Sequence, residues 1–178
     1  MSVGSKSGFG LAFTRASGFL QLVIGVLVLT GWFVKSVILV AVAPGNAPMQ
    51  PNTALGFVLC GIALLACAYG KEKWTTLCGW GIAALGFATF LEHSQGWDLG
   101  IDQLLVKPFY FEKTSIPGRM SPLTAICFTL GGIAFVLQAR IERQRRWGIW
   151  LAMCASIVMG LAATAMFTFW LDVNGLRG

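Results

Sequence analysis

The chain has 178 residues, 56% of them hydrophobic and 11% charged, with a formal net charge of +6 and a mean hydropathy of +0.74. A water-soluble domain carries about 25% charged residues, so the composition excludes an ordinary soluble fold and points to a membrane protein. The basic excess is accounted for by topology, and nucleic acid is not an expected partner.

Five apolar runs are long enough to cross roughly 30 Å of hydrocarbon. In chain order they are Gly18–Val34 (or on to Ala43), Asn52–Tyr69, Trp74–Leu91, Pro122–Ala139 and Trp147–Leu171. Within lipid each is expected to be a helix, because a helix satisfies its own backbone groups. The first run is too long for a signal-peptide core, and no small-x-small cleavage pattern follows it before Lys35.

The second and fourth runs repeat one another. Met49–Ala66 reads MQPNTALGFVLCGIALLA, and Met120–Leu137, 71 positions on, reads MSPLTAICFTLGGIAFVL. Met, Pro, Thr, Ala, Phe, Leu, Gly, Ile and Ala coincide, which marks a duplicated structural unit. Each copy opens as a helix start. Pro51 and Pro122 suit the first helical position, where a missing N–H costs nothing, and Ser121 is a good N-cap. Thr53 and Thr124 fall in the first turns. The expected fold is therefore an all-α membrane protein of five transmembrane helices, one lone span followed by two parallel-repeat helical hairpins, spans two–three and four–five, in one membrane domain over residues 1–178.

With a cytoplasmic N-terminus, the inside segments hold eight basic residues against two acidic ones, and the outside segments five against five. The positive-inside rule thus favours N-terminus in and Gly178 out. Trp32, Trp74, Trp97, Trp147 and Trp170 fall near predicted helix ends, where an interfacial belt would place them. Arg140, Arg143, Arg145 and Arg146 form a patch suited to anionic lipid headgroups.

Small residues locate close helix contacts in lipid. Gly79 with Ala83, and the four-spaced series Ala152, Ser156, Gly160 and Thr164, are the expected packing faces within the bundle or in a homodimer seam. The five cysteines all lie in predicted spans without a Cys-x-x-Cys, so they read as core residues rather than disulfide or zinc ligands.

Polar chemistry concentrates in the segment between the third and fourth spans. Glu92, His93, Asp98 and Asp102 cluster there, and Arg119 lies just before the second repeat. Their spacing matches no metal motif, so no metal is expected. Asp98 and Asp102 are expected to pair with Arg119 or to cap turns, holding the loop across the outer mouth. A less favoured reading is an anion held by the two outward helix N-termini, at Asn52 and Pro122, together with Arg119. Phe109-Tyr110-Phe111 is expected at the lipid interface. No carboxylate, histidine or arginine falls in the centre of a span, which disfavours a transporter. No catalytic motif or cofactor site is present, so an enzyme is not expected.

The set MxPNTALxFxLxGxALL, a helix ending in Leu91-Glu92, GWDLGIDQLL (Gly96–Leu105) and PGRMSPxTAxxFxLxGxA (Pro117–Ala134) resembles the N-terminal multi-pass membrane module of bacterial sensor histidine kinases and GGDEF diguanylate cyclases. The resemblance covers about residues 31–137. It implies a non-catalytic input module of the inner membrane, feeding a cytoplasmic signalling domain. An odd number of spans instead puts Gly178 outside, away from any such output. That favours the alternative of an accessory subunit packed against partner helices in a respiratory or photosynthetic complex.

Overall fold

The computed structural model describes residues 8–41, 48–103, 105–107, 109–110, 118–141, 154–158 and 160. The described residues are helical wherever they are regular, with no strand among them. Helix α1 runs Gly8–Phe33, a short α2 Val37–Ala41, α3 Pro51–Ala68, α4 Glu72–Gln95 and α5 Pro122–Ile141, with one 3-10 turn at Ile101–Gln103. Three of these, α1, α3 and α4, are long and apolar enough to cross a membrane, and α5 is a shorter apolar helix as far as Gln138.

The helices are built the way lipid requires. Their large apolar side chains point outward: Phe13, Phe19 and Leu27 on α1, and Trp74, Leu77, Trp80 and Phe87 on α4. Their contact faces are small. Gly18, Gly25, Ala54, Gly61, Cys78, Gly79, Ala83, Gly86, Ala125 and Gly132 are all buried. Close backbone approach replaces the hydrophobic drive that water would supply.

Two helix pairs, α1 with α3 and α4 with α5, form the tightest antiparallel contacts, and these two contacts are copies of each other. A Cβ added at Gly18 would meet the Gly61 carbonyl, and one at Gly79 would meet the Gly132 carbonyl. A Cβ at Gly25 would strike Ala54 O and Val58 N, and one at Gly86 would strike Ala125 O and Thr129 N. The second member of each contact is displaced by 71 positions and the first by 61. Among the described residues, the unit with duplicated contacts is therefore the repeat segment together with the helix before it. The packing expected between spans four and five lies outside the described residues, where α5 gives way to the undescribed segment after Ile141.

Phe57 and Phe128, equivalent in the two repeats, touch each other edge to face, with centroids 6.1 Å apart and rings at 85°. Contact between equivalent residues places a local twofold between α3 and α5, both of which start at the same end of the bundle. The buried core around this junction comprises Ala63, Cys78, Ile82, Met120, Ala125 and Phe128. A second core, of Val28, Trp32, Val40, Ala41 and Ala54, lies between α1, α2 and α3.

Two expectations change. Trp32 is not an interfacial anchor: it is fully buried, donates Nε1–H to Met49 O at 2.8 Å and meets Phe109 edge to face at 5.1 Å. Phe109 correspondingly packs inward on Trp32 rather than resting in lipid; Phe111 lies outside the described residues. Trp74 and Trp97 are exposed, as a belt position requires, while Trp147 and Trp170 lie outside the described residues. In the fifth predicted span, residues 154–158 and 160 are helical; Ser156 and Gly160 are exposed there, and an added Cβ at Gly160 would meet nothing within 4 Å. Ala152 and Thr164, like Arg143, Arg145 and Arg146, lie outside the described residues, whereas Arg140 is exposed in the last turn of α5.

Candidate functional site

At the end of the bundle where α4 stops and α3 and α5 begin, charged side chains are buried together. Glu92 stands in the last turn of α4 and is 0% exposed; Asp102, on the 3-10 turn, is 5% exposed and Arg119, just before α5, is 8% exposed. Isolated burial of such groups is strongly unfavourable, so their pairing is obligatory.

Local chemistry sets up the cluster. Gly96 ends α4 in the left-handed region (φ 67°), which glycine enters without a Cβ penalty. The chain then doubles back, and Leu99 N–H donates to Glu92 Oε1 at 2.8 Å. Asp98 closes its own turn by accepting from Gly100 N–H at 3.0 Å. The following turn presents Asp102 to Arg119, whose Nε donates to Asp102 Oδ2 at 2.6 Å. The same guanidinium donates to Trp97 O at 3.3 Å and stands 3.6 Å from Glu92 Oε2.

The first repeat helix joins in. Asn52, buried at the start of α3, donates from Nδ2 to Asp102 Oδ1 at 3.3 Å and accepts at Oδ1 from Thr53 N–H at 2.8 Å. Gln50, also buried, makes no cap of its own helix; its Oε1 accepts from Gly118 N–H at 3.1 Å. Asn52 thus holds the 3-10 turn, and Gln50, just before α3, holds the approach to α5. The cluster ties three parts of the chain together: the end of α4, the loop after it and the start of α3.

The sequence candidates divide accordingly. Glu92, Asp102 and Arg119 converge, and Asp98 lies beside them, exposed. Among the described residues the ion pairs are those of Arg119 with Glu92 and Asp102. His93 sits on another face of α4, with Nε2 2.9 Å from Met120 O. Thr124 serves its helix start: Ser121 Oγ accepts from Thr124 N–H at 3.2 Å and contacts Thr124 Oγ1 at 2.8 Å, the N-cap expected of Ser121, while Thr53 takes part through its backbone N–H to Asn52. With Arg119 committed to two carboxylates, nothing here favours an anion, and that reading is dropped. Asn52 and Gln50 were missed as site residues. Their signal was available: both are polar residues at the head of an apolar helix, and Gln50 is a poor cap.

Comparison with known protein families, with curated proteins and with solved structures finds no match.

Proposed function

We propose that the chain is a non-catalytic sensory input module of a bacterial inner membrane, crossing it five times with the N-terminus in the cytoplasm and the buried ion cluster facing outward. The observation that carries the reading is the Glu92–Arg119–Asp102–Asn52 network. It joins the α4–α5 junction of one repeat unit to the start of α3 in the other through the polar loop, so an event at that mouth bears on the relative placement of both units. A buried ion network is weak evidence for stability, and a device that links two packed units supplies a reason for keeping it. The resemblance to the membrane modules of sensor kinases and cyclases agrees with this.

A second reading, an accessory subunit packed against partner helices, is favoured by Trp74, Leu77, Trp80 and Phe87, exposed along α4. Purification in mild detergent, with identification of what accompanies the protein, separates the two. Association with a histidine kinase or a diguanylate cyclase supports the input module. Association with an energy-converting complex supports the accessory role and removes the first.

A further inference from the structure

We propose that Glu92, Asp98 and Asp102 bind a divalent cation, calcium by their geometry, at the mouth of the bundle. This names a ligand for the outer-mouth site of the sensory reading, but it rests on the arrangement of the side chains.

One donor oxygen from each of Glu92, Asp98 and Asp102 lies within 4.8 Å of the others. An acidic group in such a place can be purely structural, and two of the three have structural work: Asp102 holds Arg119 and Asn52, and Asp98 closes its turn. Glu92 is different. Its Oε1 takes the Leu99 N–H, while its Oε2 is buried and has no hydrogen-bond partner. The Arg119 Nε beyond it, at 3.6 Å, is already bound to Asp102 at 2.6 Å. A buried carboxylate oxygen without a donor is costly to keep, and the Glu92 carboxyl lies beside two further carboxylates.

The charge inventory agrees. With all three carboxyls ionised, one guanidinium leaves two negative charges, and a divalent cation cancels both. Burial pushes the Glu92 carboxyl pKa up, so without a cation its charged form is disfavoured. All the donors are oxygens, which select a hard cation. Calcium at about 2.4 Å from each ligand spans oxygens up to about 4.8 Å apart, whereas magnesium, at about 2.1 Å, needs a tighter set. Exposed Asp98 gives the ion its path from solvent, and buried Glu92 gives it its anchor.

The test uses the full chain in mild detergent, stripped with a calcium chelator and titrated with calcium chloride by calorimetry and by thermal melting. Terbium luminescence sensitised by nearby Trp97 serves as a second probe. The expected result is saturable binding of one ion per chain and a melting point raised by several degrees and reversed by chelator. Binding should weaken by at least roughly tenfold in Glu92→Gln and in Asp98→Asn, with magnesium much weaker. Glu72→Gln, exposed at the far end of α4, should bind as the parent does. If Glu92→Gln does not fold, Asp98→Asn decides, because its side chain is exposed. Absence of saturable calcium binding, binding undiminished in Asp98→Asn, or tighter binding of magnesium overturns the proposal. Calcium binding by a protein that accompanies an energy-converting complex would sink the sensory reading and leave the ion site standing; a kinase partner without calcium binding would do the reverse.

Discussion

Trp32 and His93 occupy the same place in the two copies of the fold and do the same job. Trp32 Nε1 donates to Met49 O at 2.8 Å, and His93 Nε2 lies 2.9 Å from Met120 O, the equivalent carbonyl 71 positions on. A carbonyl only accepts, so His93 carries its proton on Nε2. Both rings close the gap between the end of the first helix of a unit and the entry to its repeat helix. The sole histidine of the chain is thereby explained without catalysis.

Trp32→Phe keeps most of the ring volume but removes the donor, leaving the half-buried Met49 O beside the α1–α3 core without its partner. A loss of about 1–3 kcal/mol is expected, read as a lower midpoint in chemical or thermal unfolding in detergent. His93→Gln, which can still donate, should cost less than His93→Leu.

Adjacent glycines in α5 should behave oppositely. A Cβ at Gly132 would run into Ala83 N and Gly79 O on α4, whereas one at Gly131 would meet nothing within 4 Å. Gly132→Ala should therefore force α4 and α5 apart and lower the melting point sharply. Gly131→Ala should be neutral or raise stability by up to about 1 kcal/mol through helix propensity. Equal behaviour of the two variants in one melting experiment would contradict the packing described for α4 and α5.

Removing Arg119 should be the most damaging single change at the mouth. Arg119→Met leaves Glu92 and Asp102 buried without their counter-charge, a loss of about 3–5 kcal/mol. Adding Glu92→Gln and Asp102→Asn to Arg119→Met should recover much of that loss, because the stranded charges go with it. Unfolding midpoints of the single and triple variants check this.

The helix start at Ser121 gives a smaller, cleaner test. Ser121→Ala removes the oxygen that accepts from Thr124 N–H and should cost about 1 kcal/mol. Pro122→Leu combined with it should weaken α5 further. Gln50→Ala, by contrast, should loosen the approach to α5 rather than the start of α3, because its side chain serves Gly118. Protease sensitivity near residue 118 distinguishes the two effects.

The positions of α3, α4 and α5 were legible from length and hydropathy, because a membrane helix must be apolar for about twenty residues whatever its neighbours are; α1 begins at Gly8, well before the expected Gly18. Predicted and observed starts agree at Pro122 and nearly so at Pro51. The pairing was harder to read. The repeat is loud in α3 and α5 because their first turns, Pro, Thr and the small residues after them, meet the same structural demands twice. It is nearly silent in α1 and α4, which share little beyond Gly18–Gly25 and Gly79–Gly86. A lipid-facing helix needs small residues only at its contacts, so the rest of its sequence is free to drift. The pairing of Asp102 with Arg119 was among the expectations, whereas that of Glu92 with Arg119 was not. Asn52 is marked in the sequence only as a polar residue at the head of an apolar helix; its partner, Asp102, fifty positions away, could not be read from it.

The central claim is that the bundle lies in a membrane with its ion cluster outside. Reporter insertions at the two ends of α4 test it most directly, with alkaline phosphatase active only outside and green fluorescent protein fluorescent only in the cytosol. The account predicts an active phosphatase at Gly100 and fluorescence at Gly70. Fluorescence at Gly100 with an active phosphatase at Gly70 would contradict it.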